Sequence, residues 1–124
     1  MIIKNQVALA QKKTRYSNVR KAKMAAMAIS TSGQLIAYAH NTKACGSERR
    51  WSFHAEENLI KKLVKLNAFS RFDHINILII RMTKVGISMA KPCKKCQELL
   101  HRYPVTIYYS DWEGKICNEK TNNH

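Results

Sequence analysis

Ile75-Asn76-Ile77-Leu78-Ile79-Ile80-Arg81-Met82 is a near-continuous apolar run, and its reading decides the fold. A strand that shows no alternation is buried on both faces, so layers must cover it from either side. Working outward, Ser52 stands where it can cap a helix starting near Phe53. Ala55, Leu59, Leu63 and Leu66 line one face of that helix, with Glu57, Lys61, Lys62 and Lys65 elsewhere. On the other side, Pro92 sits where a helix can begin, and Cys93, Cys96, Leu100 and Tyr103 fall on one side of it. Val105 to Tyr109 is another β-rich run. Upstream, Met24 to Ile29 and Leu35 to Ala39 are short apolar runs separated by Ser30-Thr31-Ser32-Gly33-Gln34, a hairpin signal. Residues 2–14 carry Ile3, Val7, Ala10 and Thr14 at helical spacing. The order helix, hairpin, helix, strand, helix, strand favours an α/β sandwich with a mixed sheet covered by helices. The polar stretch from Asp111 to His124 reads as an exposed end with a short helix or none.

The chain has 124 residues, which is one domain by length, here 1–124 with a basic helical segment over 1–23 and a polar end over 111–124. Apolar residues are 45% and charged residues 24%, as in an ordinary globular protein, and only 2 Pro and 4 Gly argue against low complexity. A chain of this size buries roughly two thirds of its unfolded surface, so its core needs no disulfides. No apolar run approaches the ~20 residues of a membrane-spanning helix. Met1 to Ile3 is too short an apolar start for a secretory signal, so the expected location is intracellular and cytoplasmic.

Lys and Arg number 22 against 8 Asp and Glu, a net charge of +14. No acidic residue precedes Glu48, whereas Lys4, Lys12, Lys13, Arg15, Arg20, Lys21, Lys23 and Lys43 all do. Such a field attracts polyanions by steering and counterion release, so nucleic acid or another polyanionic partner is expected.

Cys93 and Cys96 form a C-x-x-C pair, which in an intracellular chain reads as metal or redox before it reads as a staple. His54-Ala55-Glu56 opens the preceding helix. An imidazole and two thiolates suit Zn2+, and a catalytic site keeps the fourth position for water, whose pKa falls to roughly 7. Ligands at helix N-termini gain from first-turn N–H groups, which favour thiolates. Two other readings stand beside this one. One is a closed structural zinc site with Cys45 or Cys117 as fourth ligand; the other is a thioredoxin-like redox pair.

With Pro92, these residues make H-x-E followed by P-C-x-x-C, the signature of zinc nucleobase deaminases. The sequence resembles the cytidine and deoxycytidylate deaminase family over roughly residues 24–110. The resemblance implies a three-layer α/β/α sandwich with about five strands. It implies His54, Cys93 and Cys96 as zinc ligands, and Glu56 as the carboxylate that moves protons while a cytosine-type base becomes uracil and ammonia leaves. Helical spacing alone nominates Glu57, three residues from His54, and leaves Glu56 off its face; the family pattern chooses Glu56. Glu57 is then expected to be a solvated helix-face carboxylate. By the same resemblance, Asn41 contacts the substrate sugar, the N–H of Ala55 the pyrimidine carbonyl, and the carbonyl of Lys91 the amino group. His40 reads as an ordinary loop or core histidine.

Base stacking needs an aromatic wall, for which Tyr108, Tyr109, Trp112, Trp51 and Phe53 are candidates. Strand alternation sends one of the two tyrosines into the core. Lys94 and Lys95 can stabilise thiolates and attract phosphate, and Arg49, Arg50 and Trp51 make a basic–aromatic mix suited to a nucleotide or a single strand. His54-Ala55-Glu56-Glu57-Asn58 looks like the H-A-E-x-N variant common in deoxycytidylate deaminases. The net charge instead favours cytosine in a single strand. A tRNA adenosine deaminase is a weaker reading, because its small, methionine-bearing segment around the cysteines is absent. A catalytically silent nucleic-acid-binding protein on the same fold is the rival from another class, opposed by the retained Glu56. Members of this fold often self-associate, and the basic first helix offers a surface for a homo-oligomer.

Overall fold

In a computed structural model, residues 4–14, 23–43, 52–83 and 86–119 are described. Ile3, Arg15, Arg20, Lys21, Cys45, Arg49, Arg50, Trp51 and 120–124 lie outside them, as does the side chain of Phe53. The elements are α1 (Lys4–Lys13), β1 (Lys23–Ser30), β2 (Leu35–His40), β3 (Thr42–Lys43), β4 (Ser52–Phe53), α2 (Ala55–Lys65) and α3 (Ala68–Arg71). They continue with β5 (Ile75–Thr83), β6 (Gly86–Ser88), α4 (Lys94–Leu100), β7 (Val105–Ser110) and β8 (Ile116–Glu119).

The main sheet is six-stranded in the order β2-β1-β5-β7-β8, with β6 paired to β5. It is mixed: β5 and β7 run parallel, and the other pairs are antiparallel. β5 is covered on both sides, as its unbroken apolar run requires. Ile75, Ile77 and Ile79 enter one core with Leu59, Leu63 and Leu100, whereas Leu78 and Ile80 enter a second with Ala10, Met27 and Ile29. Helices α2 and α4 therefore cover one face and α1 the other, which makes three α/β/α layers. The alanines of β1 at 25, 26 and 28 are wholly buried, and their small side chains let helices approach the sheet.

α1 presents Val7 and Ala10 to the second core, as its spacing predicts, and Thr14, just past the helix, is also buried. The β1–β2 turn includes Gly33 at φ +93°, a conformation that favours glycine.

Three sequence expectations are corrected. The end beyond Asp111 is not free of regular structure: β8 pairs with β7 in register Tyr109↔Cys117, so 116–119 is an edge strand. Ser52 is not the cap of α2, because Ser52 and Phe53 pair with Thr42 and Lys43 and the helix starts after His54. Leu66 is exposed rather than on the core face. The helix ends at Lys65, and Asn67 turns the chain through a left-handed conformation, φ 58°; Ile60 is buried instead.

Candidate metal centre and active site

The site end of the sheet is where β5 and β7 finish, the end where ligands bind in open α/β sheets. Two helices begin above it. His54 is the N-cap of α2 and Cys93 the N-cap of α4. Each residue therefore sits at the positive end of a helix, where backbone N–H groups lack helical partners.

The turn into α4 is braced at several points. Ala90 N–H donates to the carbonyl of Ser110 at 2.8 Å, and Ser110 Oγ donates to the carbonyl of Ser88 at 2.6 Å. Gln97 Nε2 donates to the carbonyl of Pro92 at 2.8 Å. The entry to α2 is braced by Glu57, whose Oε1 accepts the backbone N–H of His54 at 3.0 Å. Glu57 is thus half-buried and ties down the helix start, not a solvated carboxylate on its face.

These braces bring three donors together. Nδ1 of His54 lies 3.2 Å from Sγ of Cys96 and 3.7 Å from Sγ of Cys93. All three ligand atoms fall within 4.8 Å of one another. A tetrahedral zinc, with bonds of about 2.0 Å to nitrogen and about 2.3 Å to sulfur, sets its ligand atoms roughly 3.5–3.8 Å apart. The observed spacing and the one-nitrogen, two-sulfur donor set fit Zn2+. Cys117 does not join them: its Sγ contacts Oδ2 of Asp111 at 3.6 Å. It is therefore not the fourth ligand of a closed site; Cys45 lies outside the described residues.

Glu56 completes the centre. It is 2% exposed, and among the described residues its Oε1 has no hydrogen-bond partner. Burial raises its carboxyl above the usual carboxylate range, while its own backbone N–H, the charge of His54 and the Cys96 thiol pull it back. Cys96 stands well above the ordinary thiol range, through burial first and the charge of Glu56 second. A metal bound there must displace that proton.

Other residues singled out from the sequence divide. Ala55 is the first residue of α2 and wholly buried, so its N–H has no partner within the helix. Lys91 lies exposed on the lead-in to Cys93. Asn41 is buried at the same end of the sheet, with its Oδ1 accepting the N–H of Met24 at 2.9 Å. The Asn41 oxygen is therefore engaged by β1. His40 Nδ1 lies 3.3 Å from the carbonyl of Asn41, and His40 is not among the ligand set. Tyr109 packs against the core beneath α2 and α4, but Tyr108 packs on the α1 side, the wrong face for a wall of this site. Trp112 is 73% exposed in the β7–β8 turn, just past Ser110.

Two residues here escaped the sequence reading. Asn58 Nδ2 donates to the carbonyl of His40 at 2.8 Å and approaches Oγ1 of Thr42 at 3.3 Å, clasping the Asn41 segment to α2 one turn past His54. Its place in the H-A-E-x-N pattern was the available signal. Ser110 had none, since a serine at a strand end does not announce a distant backbone partner.

A mixed sheet between helix layers, with an open nitrogen–sulfur metal centre beside a buried carboxylate, defines a zinc nucleobase deaminase fold and site. The model of the cytidine and deoxycytidylate deaminase zinc-binding region matches residues 3–109, and the chain belongs to this family. Among solved structures, the chain is similar to dCMP deaminase from the cyanophage S-TIM5. The TM-score is 0.64 and the identity 18%, over 90% of this chain and 86% of that one. It is also similar to cytidine deaminase from Burkholderia pseudomallei, with TM-score 0.66 and 12% identity over 99% of this chain and 95% of that one. At these identities the likeness is one of fold. No curated protein matches. No described helix is long and apolar enough to cross a membrane.

Proposed function

We propose that the protein is a zinc-dependent hydrolytic deaminase, a single domain over 1–124, that converts a cytosine-type base of a free cytidine or deoxycytidine nucleotide or nucleoside to uracil. The observation that carries this reading is the convergence of His54, Cys93 and Cys96 beside a buried Glu56 oxygen without a partner. Bound zinc supplies Lewis-acid activation of a water.

The chain's own residues do the rest. Glu56 takes a proton from the water and passes it to the ring nitrogen. It then helps the exocyclic amine leave as ammonia, while the water oxygen stays on the base. A carboxyl raised by burial suits a group that must both accept and donate. The Ala55 N–H, the Lys91 carbonyl and Asn41 are the proposed contacts to base and sugar, with Tyr109 and Trp112 as the proposed aromatic groups. The resemblance of His54-Ala55-Glu56-Glu57-Asn58 to deoxycytidylate deaminases supports a free nucleotide.

A second reading, cytosine within a single strand, is favoured by the net charge of +14 and by the exposed Trp112, Lys91, Lys94 and Lys95 around the lead-in to Cys93. Stacking on an exposed aromatic and phosphate contacts from lysines are how single strands are held. Ammonia release from deoxycytidylate, deoxycytidine and single-stranded oligonucleotides, across a salt series, separates the two. Turnover of the nucleotide supports the first reading. Turnover of the oligonucleotide alone, falling steeply with salt, supports the second. Release from none refutes both.

A further inference from the structure

β5 sends Ile75, Ile77 and Ile79 to the core under α2 and α4, and Leu78, Ile80 and Met82 to the α1 side. The same alternation puts Arg81 on the face of α2 and α4, the face that carries the metal centre. Its cross-strand neighbours there are Met24 of β1 and Ser88 of β6. Each is tied to a wall of the site. The Met24 N–H donates to Asn41, and the carbonyl of Ser88, on the lead-in to Cys93, accepts from Ser110 at the end of β7. Arg81 therefore occupies the floor between the Asn41 segment and the P-C-x-x-C turn.

Arg81 is half-buried, and among the described residues its covered Nε has no hydrogen-bond partner. Among the described residues no carboxylate pairs with it. A guanidinium is always charged, and a covered donor without an acceptor is costly unless a ligand brings one.

We infer that Arg81 is a specificity-determining residue that holds the phosphate of a cytosine nucleotide at the floor of the site. This rests on the deaminase reading above. A planar fork of N–H donors matches two phosphate oxygens, and neither lysine nor glutamine reproduces it. A free nucleotide's monoester and a single strand's diester share this chemistry.

The test uses zinc-loaded wild type, Arg81→Gln and Arg81→Lys, with thermal midpoints to certify folding. Calorimetry gives Kd for deoxycytidylate, deoxycytidine and a short oligonucleotide holding one cytosine, and ammonia release is followed on the same samples. In wild type the phosphate-bearing ligand binds tighter than deoxycytidine. Arg81→Gln lowers that preference at least about tenfold, as loss of a charge-assisted contact should, and Arg81→Lys restores part of it. A change in the deoxycytidylate ratio identifies the monoester; a change in the oligonucleotide ratio alone identifies the diester. If all three ligands weaken by one factor, or neither ratio moves in either variant, the inference is overturned. If the ratio shifts but wild type releases no ammonia, Arg81 stands as a phosphate site and the deaminase reading fails.

Discussion

Nδ1 of His54 and Sγ of Cys96 lie 3.2 Å apart, although 42 residues separate them in sequence. The contact joins the starts of α2 and α4, and nothing within either helix requires it. Two thiols and an imidazole gathered at two helix N-termini have a chemical use together that none has alone.

Metal content follows from that contact. Purified protein is expected to hold about one zinc per chain by elemental analysis, as a single three-ligand centre requires. Cys96→Ala and His54→Ala should lose it. A chelator should remove turnover and lower the melting temperature, and added zinc should restore both, because the metal binds the folded chain. Wild-type zinc content in Cys96→Ala would contradict the ligand assignment.

Asn58 joins α2 to the segment carrying Asn41 through the His40 carbonyl. Asn58→Ala should lower stability by about 1–2 kcal/mol, the usual cost of leaving a partly buried backbone acceptor unpaired. It should also raise KM more than it lowers kcat, since the segment it holds is proposed to touch the sugar. Denaturant midpoints and steady-state kinetics check the two effects separately.

Leu59 is wholly buried in the core between α2 and the sheet. Leu59→Ala should cost about 2–5 kcal/mol in chemical denaturation, the range for large-to-small changes in a packed core. A loss under 1 kcal/mol would mean that the α2 layer is not packed as described.

Asp111 shapes the β7–β8 turn, its Oδ1 accepting the N–H groups of Lys115 at 2.8 Å and Glu113 at 2.9 Å. The Lys115 N–H first, and the Glu113 N–H with it, hold the carboxyl below the usual range. Folding thus favours the carboxylate. The stability it contributes is complete above the unfolded pKa of about 3.9 and fades as pH falls through the folded value. An NMR titration should place the Asp111 midpoint below that of free aspartate, and Asp111→Asn should remove this acid-side dependence. A midpoint at the free value would contradict the turn geometry.

Legibility followed burial and chemistry. β5 was readable because burial on both faces leaves a near-continuous apolar run, and the metal ligands because H-x-E followed by P-C-x-x-C resembles a family pattern whose residue types suit zinc. β8 was hidden: Ile116-Cys117-Asn118-Glu119 is an edge strand with little apolar content, and an edge needs only one partner. The choice between Tyr108 and Tyr109 depended on register, which alternation alone leaves two-valued. Glu57 was misjudged because helical spacing shows which residues share a face but not which carboxylate turns back to cap a helix. Arg81, like Asn76, is a polar residue within an apolar strand and carried no signal of its own; its covered nitrogen, without a hydrogen-bond partner among the described residues, distinguishes it.

The most direct test of the account is the ratio of kcat for wild type to that for Glu56→Ala, both zinc-loaded to the same content, on whichever cytosine substrate wild type turns over. A proton-moving carboxylate predicts a fall of about 10²–10⁴-fold or more with metal content unchanged. Turnover in Glu56→Ala equal to wild type would contradict it.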